Sequence, residues 1–579
     1  MNRRRHKAKP VMPAWRPKLL LGLFALVAVT LEARLVWLQL FQGDFLAAEG
    51  NERQLRVVEM PAHRGLLLDR HGEPLAVSTP VESLFVDPQR VPLDRIGELA
   101  RPLGRDADVL EREITSRQDR EFYWLARRLA PGDAAEVLDL GIEGVSTRRE
   151  YKRYYPQHEV TCHLLGFTGD EDIGQEGLEF ALDARLAAEP GSKLVQRDRR
   201  GRYIADVEEI DPPRPGRDIR TSIDLRLQWP AYRALKAAVL ASEASSGSLV
   251  VLDVETGEVL AMVNQPTCNP NDPGQRAEPW RFRNRAITDP VEPGSAIKPL
   301  ILAAALDSGY TPETLIDVPK VLYVAGQDVT RDDNGPLGVV TVTEILARSS
   351  SVGMGLIGLE LDRADIWRTL KAFGIGEWTG NGESVGNVLG RLESPGKLED
   401  YEHWGQVGQA TLSYGYRLSV TSLQLARAYA AIGSGGLLPP VSFEALTEPP
   451  KRVRAISPEI AADLMTMLEA VVYSEGATAA RADIPNYRSA GKTGTARMLE
   501  AGEYSNDKYR AIFAGLAPAS RPRFVAVVVI SDPRSEAYHG GDVAAPVFAK
   551  VMSAALRIYG IAPDAAAEPV LISRAEDPR

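Results

Sequence analysis

The longest apolar run of the chain lies near its amino terminus, between Leu19 and Leu31. Mostly apolar residues continue from there to about Leu40, with Glu32 and Arg34 as the charged interruptions. A helix over residues 19–40 is long enough to cross a bilayer, since roughly 17–25 residues are needed. The pattern therefore predicts a transmembrane anchor at 19–40, preceded by a basic tail at 1–18.

The flanks of this segment predict how it is oriented. The preceding tail is rich in Lys and Arg, and no A-x-A cleavage pattern of a signal peptide follows the apolar run. Because positive flanks favour the cytoplasmic side, we expect an uncleaved anchor with everything after about residue 42 exported. Glu32 and Arg34 then either lie near the outer interface or face a partner helix inside the membrane.

A second pattern, of short apolar runs, begins near residue 247. Two β-branched runs flank Glu255-Thr256-Gly257 within Gly247–Val263, which is typical of a β-hairpin. The continuous apolar run within Arg523–Pro533 predicts a central strand that is buried on both faces. Helical periodicity lies between them, so we expect an α+β domain over 226–558, an antiparallel sheet with helices on its faces.

The stretch at 45–225 is richer in charge and in short strand-like pieces, and it shows no catalytic arrangement. Arg64, Asp69 and Arg70 are interpreted as a polar turn, whereas Glu176 and Glu179 lie beside glycines. Structural turns and buried ion pairs are favoured here over a functional site. The tail at 559–579 is rich in Pro, Ala and Asp and is predicted to be disordered.

Composition narrows the possible classes of protein. With 579 residues, two or three domains are expected. The formal charge of 68 − 78 = −10 argues against a nucleic-acid binder. Cys162 and Cys268 are too few for a disulfide framework, and neither they nor the histidines form a metal-spaced cluster. We therefore predict neither a metal site nor a cofactor.

Candidate chemistry begins with Ser295 and Lys298, within the sequence VEPGSAIKPL. Pro299 is best tolerated in the first turn of a helix, which places a helix start close to Ser295. Lys298 then shares a helix face with Ser295, where a buried amine can take the proton of a serine nucleophile. Free N–H groups at such a helix start can also stabilise an oxyanion.

Two further elements carry candidate site residues. Lys492, Thr493 and Gly494 form a rare tripeptide that can bind a carboxylate by charge and hydroxyl donation. Thr495 would then offer a backbone N–H to the reacting carbonyl. Upstream, Ser349 opens a helical pattern; it could relay a proton between the two lysines, although a helix cap is the simpler interpretation for that segment alone.

Together these elements resemble the S-x-x-K, S-x-N and K-T-G motifs of penicillin-binding proteins and serine β-lactamases. Other segments resemble class B penicillin-binding proteins, so that the resemblance runs from the anchor to about residue 558. Those segments are His63–Ala76, Arg153–Glu179, Thr411–Gly436 and Gly540–Met552. The pattern is most similar to the septal, FtsI-like D,D-transpeptidases of Gram-negative bacteria, also called penicillin-binding protein 3.

The resemblance implies a fold and a location. It implies a penicillin-recognising transpeptidase domain at 226–558 on an elongated, mixed α/β pedestal of the dimerisation type at 45–225. It places the protein in the bacterial inner membrane, single-pass, with a cytoplasmic amino terminus and a periplasmic catalytic domain. The implied partners are peptidoglycan stem peptides ending in D-Ala-D-Ala, β-lactams, an FtsW-type glycosyltransferase and other division proteins.

The resemblance also implies a role for each motif residue. Ser295 would be acylated by the penultimate D-Ala, Lys298 would be the general base, and Ser349 would pass a proton toward the leaving amine. Lys492 and Thr493 would hold the terminal carboxylate, beside Gly494. The backbone N–H groups of Ser295 and Thr495 would form the oxyanion hole.

One position departs from the family pattern. Ser351 stands where the family has asparagine. Asparagine offers both a donor and an acceptor on a longer arm, and serine cannot fill both roles at that reach. We therefore expect weaker or altered binding of substrate and β-lactam. This departure also motivates an alternative function, a catalytically altered paralogue or division-complex scaffold; a β-lactamase or D,D-carboxypeptidase is a further alternative.

Overall fold

The computed structural model describes residues 13, 15–198, 203–332, 335–379, 392–500 and 502–565. Most of the basic tail at 1–18 and most of the predicted disordered tail at 559–579 lie outside the described residues. Two compact units are present, one made of 1–62 and 189–214 and the other of 63–188 and 215–579.

The helices and strands are numbered separately, each in chain order. The helices are α1 (Trp15–Phe41), α2 (Gly43–Gln54), α3 (Ile96–Ala100), α4 (Ala107–Thr115), α5 (Pro131–Leu138), α6 (Cys162–Leu165), α7 (Gly177–Ala181), α8 (Asp183–Leu186), α9 (Leu225–Ala241), α10 (Arg285–Thr288), α11 (Lys298–Asp307), α12 (Val342–Ala347), α13 (Ser351–Glu360), α14 (Arg363–Ala372), α15 (Gln406–Ser413), α16 (Ser422–Gly433), α17 (Pro458–Tyr473), α18 (Gly540–Val543) and α19 (Ala545–Ile558). The strands are β1 (Leu55–Met60), β2 (Leu67–Leu68), β3 (Pro74–Val86), β4 (Tyr123–Leu129), β5 (Val145–Tyr154), β6 (Gly191–Arg197), β7 (Tyr203–Asp211), β8 (Ile219–Arg220), β9 (Ser246–Asp253), β10 (Val259–Gln265), β11 (Leu315–Val318), β12 (Val321–Val324), β13 (Gln327–Arg331), β14 (Gly338–Thr341), β15 (Leu437–Leu438), β16 (Val453–Arg454), β17 (Ala490–Glu500), β18 (Glu503–Ala517) and β19 (Phe524–Ser531).

The first unit holds the predicted anchor. Helix α1 is long and apolar enough to cross a membrane, and none of its side chains is buried against protein. It begins four residues before the predicted start at Leu19, since a helix can continue past its apolar stretch into a polar flank. The unit also contains the antiparallel sheet β1-β6-β7.

The part of the second unit before residue 189 packs its own core. Strand β3 pairs with β4 and β5, and helices α3, α4 and α5 supply the apolar side chains that cover this sheet. Deeper in the unit, Glu179 accepts hydrogen bonds from Arg64 Nε at 2.7 Å and from Arg153 Nε at 2.6 Å. All three side chains are buried. The interpretation of Arg64 and Glu179 as members of buried ion pairs is therefore confirmed.

The domain that the sequence predicts to be catalytic is built around a five-stranded antiparallel sheet, below called the catalytic sheet, of order β10-β9-β19-β18-β17. The hairpin predicted around Glu255-Thr256-Gly257 is β9–β10, and the predicted central strand is β19 in the middle of the sheet. Side chains pointing to both sides of β19 are buried, so both faces of the sheet are covered. The predicted α+β class, with helices on an antiparallel sheet and one apolar helix at the amino terminus, is confirmed.

A disulfide joins Cys162 of α6 to Cys268, which follows β10. Two cysteines are too few for a disulfide framework, and this single bridge was not predicted from the sequence. The two residues are 106 positions apart in the sequence. They meet only in the folded chain, where Phe167 and Phe282 pack around them. The bridge ties the segment before residue 189 covalently to the catalytic sheet.

Candidate active site

Ser295 lies in a short 3-10 turn, Gly294–Ile297, that runs directly into α11. The predicted helix start close to Ser295 is therefore confirmed, and Pro299 occupies the first turn of α11. Gly294 has φ +51°, and a Cβ there would come within 3.2 Å of Thr495 O on β17. Glycine thus lets the turn that carries Ser295 approach the edge of the sheet.

Lys298 follows on the first turn of α11 and is 0% exposed. Its Nζ donates to Ser349 O at 2.6 Å, to Ser350 O at 3.0 Å and to Ser351 Oγ at 3.4 Å. Burial lowers the pKa of Lys298 to about 7, although the carboxylate of Asp332 opposes that shift. An amine with this pKa is divided between its acid and base forms near neutral pH.

Ser349 lies in the turn between α12 and α13, with φ +57°. A positive φ is uncommon for a residue with a side chain and occurs at functional sites. In this conformation the backbone carbonyl of Ser349 accepts from Lys298 while its Oγ accepts from Lys492 Nζ at 2.9 Å. The structure therefore brings Ser349 between the two lysines, with its hydroxyl on Lys492 and its carbonyl on Lys298.

Lys492 lies on β17 and is also 0% exposed. Its pKa is well below the usual value because it is buried, and the nearby charge of Lys298 adds to that shift. Its Nζ also donates to Thr493 Oγ1 at 3.2 Å. Both lysines therefore compete for protons inside one buried site.

Strand β17 is the edge strand of the catalytic sheet. The backbone groups on its outer side are left for a ligand strand, because sheet pairing uses those on the inner side. A Cβ at Gly494 would come within 2.6 Å of Pro293 O, so only glycine fits this close approach. Thr495 Oγ1 accepts from the N–H of Gly540, which joins β17 to α18.

Asp332 was missed by the sequence argument. Its carboxylate accepts from Ser350 Oγ and, through Oδ1, from Ser351 N at 2.9 Å. The cap of α13 is Ser350, whose Oγ accepts from Gly353 N, so the capping interpretation fits the neighbour of Ser349. No motif marks Asp332, since it lies in an ordinary loop after β13 and meets α13 only through the fold.

Glu292 was missed as well, although its place three residues before Ser295 was a possible signal. Its Oε1 accepts from Arg417 N at 2.8 Å and from Tyr504 Oη at 2.9 Å. The rings of Tyr416 and Tyr504 meet edge to face with centroids 5.4 Å apart. A carboxylate and an aromatic pair thus lie near the turn that carries Ser295.

The described residues contain no group of three or more His, Cys, Asp or Glu side chains arranged to hold a metal ion. The groups that the structure does assemble are a serine, two buried lysines, a bridging serine and an edge strand. Such a set suits acyl transfer through a covalent ester, with proton transfer by an amine.

Family models match most of the chain. The model described as penicillin binding protein transpeptidase domain matches residues 247–553, which is more than half of the sequence. The model described as penicillin-binding protein dimerisation domain matches residues 59–221.

Curated relatives match over almost their full length. The peptidoglycan D,D-transpeptidase FtsI of Escherichia coli K12 is 40% identical, covering 95% of this chain and 93% of that protein. The probable peptidoglycan D,D-transpeptidase PbpC of Pseudomonas aeruginosa is 38% identical, covering 94% of this chain and 95% of that protein.

Solved structures agree with these matches. The transpeptidase domain of penicillin-binding protein 3 from Burkholderia pseudomallei is 36% identical with a TM-score of 0.53, covering 60% of this chain and 98% of that structure. Penicillin-binding protein 3 from Mycobacterium tuberculosis, complexed with aztreonam, is 25% identical with a TM-score of 0.66, covering 88% of this chain and 98% of that one.

Proposed function

This chain belongs to the penicillin-binding protein family of peptidoglycan D,D-transpeptidases, and from that premise we propose that it cross-links stem peptides during septal cell-wall synthesis through a Ser295 acyl-enzyme. Its substrate is peptidoglycan, and β-lactams bind to the same site. The observation that carries the residue assignment is that Ser349 hydrogen-bonds both buried lysines, Lys298 and Lys492, and that Lys298 lies one turn after Ser295.

Acylation starts with loss of a proton from Lys298. In the structure its Nζ donates three hydrogen bonds, to Ser349 O, Ser350 O and Ser351 Oγ. Three donated bonds suit the protonated ammonium. The neutral amine has a lone pair that can accept the proton of Ser295 Oγ. Ser295 Oγ then bonds to the carbonyl carbon of the penultimate D-Ala.

The C–N bond to the terminal D-Ala breaks next, and the leaving nitrogen needs a proton. Lys298 gives up the proton that it took from Ser295, Ser349 Oγ passes a proton to the leaving nitrogen, and the terminal D-Ala departs as a free amino acid. The backbone N–H groups of Ser295 and Thr495 stabilise the oxyanion of the tetrahedral intermediate. An amine of a neighbouring stem then attacks the ester, forms the amide cross-link and returns the proton to Ser295.

Binding of the substrate carboxylate prepares the base. Lys492 and Thr493 hold that carboxylate, whose negative charge favours the protonated form of Lys492. Because the charges of Lys492 and Lys298 repel each other, a proton held at Lys492 favours the neutral form of Lys298. The general base is thus most available when substrate is bound.

Replacing Asp332 with asparagine should move the pH dependence of acylation to lower pH. The carboxylate of Asp332 raises the pKa of Lys298 against the effect of burial, so its removal lets that pKa fall below about 7. More Lys298 is then neutral at acidic pH. The measurement is the second-order rate of labelling by a fluorescent penicillin between pH 5 and 9.

Asp328→Asn on the exposed strand β13 is the matched control, because Asp328 pairs with Arg331 away from Lys298. An Asp332→Asn profile that coincides with the wild-type profile, or that moves to higher pH, contradicts the assigned effect of Asp332. Thermal unfolding of both variants separates this effect from loss of the Asp332 bonds to α13.

Replacing Ser351 with asparagine should increase acylation. Ser351 Oγ reaches Lys298 Nζ only at 3.4 Å, whereas asparagine has a longer arm with both a donor and an acceptor. We expect a gain of several-fold to about tenfold, the usual value of one added hydrogen bond to a charged or substrate group. Ser505→Asn, in the exposed β18 region, is the control, and an unchanged rate in Ser351→Asn would show that position 351 does not limit binding.

The placement of the chain in the cell is part of the same proposal. Helix α1 anchors the protein in the inner membrane, with the amino terminus in the cytoplasm and the catalytic domain in the periplasm. The proposed domain boundaries are 45–225 for the pedestal and 226–558 for the transpeptidase domain. An FtsW-type glycosyltransferase and other division proteins are the proposed partners, with Glu32 and Arg34 on α1 as the contact in the membrane.

The test of the proposed function is product analysis with the purified full-length protein in detergent. Transpeptidation gives cross-linked peptide dimers together with free D-Ala. Release of D-Ala without dimers indicates a D,D-carboxypeptidase, and turnover of penicillin in place of a lasting adduct indicates a β-lactamase. A scaffold gives neither product, and any of these three results overturns the proposal.

A further inference from the structure

A cavity of about 240 Å³ lies within the second unit, away from Ser295. One wall comes from α6 and the start of α7, and the other from the segment around α10 that leads toward the nucleophile. Its volume is below the roughly 300–1,000 Å³ of sites for drug-sized ligands, so it suits a compact molecule.

The two walls carry opposite charges that do not pair with each other. Glu176, an exposed residue, lines the wall from α7, and its carboxylate has no hydrogen bond or ion pair among the described residues. Arg283 lines the opposite wall, where its Nε contacts Thr288 Oγ1 and Asp289 Oδ1. Its terminal N–H groups donate no hydrogen bond within the described part of the chain. A carboxylate and half of a guanidinium are therefore left for a ligand.

The surfaces between these charges are apolar. Leu178, Phe282 and Ile287 supply buried hydrocarbon to the lining. Burial also keeps His163 neutral at the floor, with a pKa lowered to about 4, so no second cation competes for Glu176 there. The protein around Glu176 raises the pKa of its carboxyl by desolvation, which a bound cation would relieve.

We propose that this cavity binds a small zwitterion, a free amino acid or dipeptide with a short apolar side chain. The ammonium group of the ligand contacts Glu176, and its carboxylate accepts hydrogen bonds from the free N–H groups of Arg283. The side chain of the ligand lies against the apolar lining. Free D-Ala belongs to this class of molecule; that link alone rests on the proposed function, because acylation of Ser295 would release it.

A ligand in this cavity also contacts the segment that leads into the active site. Ile287 and Thr288 precede Ser295 by only eight and seven residues, and the carbonyl of Ile287 accepts from the N–H of Ser394. The cavity therefore lies between the wall near the disulfide Cys162–Cys268 and the chain segment that leads to Ser295.

The test is calorimetric titration of the full-length protein in detergent, after Ser295 is blocked with benzylpenicillin, using D-alanine as the probe. We expect saturable binding, and binding at least about tenfold weaker for N-acetyl-D-alanine and for D-alaninamide, which each lack one charge. Glu176→Gln should weaken D-alanine about tenfold and leave N-acetyl-D-alanine unaffected. Glu171→Gln, an exposed carboxylate nearby, should bind all three probes like the wild type.

Two results overturn the proposal. One is the absence of saturable D-alanine binding, and the other is equal binding of D-alanine to the wild type and to a Glu176→Gln variant whose thermal unfolding midpoint is unchanged. The titration is repeated on Ser295→Ala without penicillin. Failure of acylation therefore counts against the proposed function alone, whereas failure of the titration counts against the cavity alone.

Discussion

Ser295→Ala should abolish covalent labelling by penicillin and reduce cross-link formation by on the order of a million-fold, the scale at which loss of a serine nucleophile acts in covalent hydrolases. The reason is that no ester can form without Ser295 Oγ, whatever the state of the lysines. Fluorescent penicillin followed by electrophoresis measures the adduct, and mass spectrometry of the digested protein locates it.

The control for this prediction is Ser308→Ala. Ser308 lies at the far end of the same helix, α11, where its Oγ donates to the carbonyl of Ala304. This variant should be labelled like the wild type. Persistent labelling of Ser295→Ala at another residue contradicts the assignment of the nucleophile, and normal division of cells that carry only this variant would favour the scaffold alternative.

Lys298→Met should slow acylation about 10²–10⁴-fold, the range typical of a lost general base that is held in position. Methionine keeps an unbranched chain of similar length, so the variant removes the amine with little change in volume. The rate of penicillin acylation under single-turnover conditions measures the effect. Lys550→Met, on the exposed side of α19, is the matched control and should not change the rate.

The pH dependence gives this second prediction a distinct signature. Burial lowers the pKa of Lys298 to about 7, so the amine is mostly protonated below pH 7 and mostly neutral above it. The wild-type acylation rate should therefore rise as pH increases through about 7 and then level off. In Lys298→Met this rise should disappear; a variant that keeps it shows that another group is the base.

Local features of the site could be predicted from the sequence because they depend on residues close in the chain. The spacing of Ser295, Lys298 and Pro299 is enough to predict a helix start with both functional side chains near it. The apolar run of α1, the hairpin β9–β10 and the central strand β19 are also local patterns, and the structure has each of them. Only the boundaries of these elements differ from the predicted ones, by a few residues.

The electrostatic state of the site could not be predicted in this way. A lysine in a sequence is expected to be charged, and the pKa of Lys298 and Lys492 is low only because the folded chain removes water from both. The opposing effect of Asp332 likewise depends on a loop that meets α13 through the fold. The distances between these groups, which determine how strongly they interact, cannot be deduced from any pattern along the chain.

The sequence by itself determined the local elements, an apolar amino-terminal helix long enough to cross a membrane, and the three motifs whose resemblance identified the family. The tertiary structure decided which groups meet: Ser349 between two lysines, Asp332 at the start of α13, and Cys162 bonded to Cys268. The physical reason is that backbone preference and hydrophobic period act over a few residues. Burial, charge coupling and covalent bridging depend on residues far apart in sequence that only the packed chain brings together.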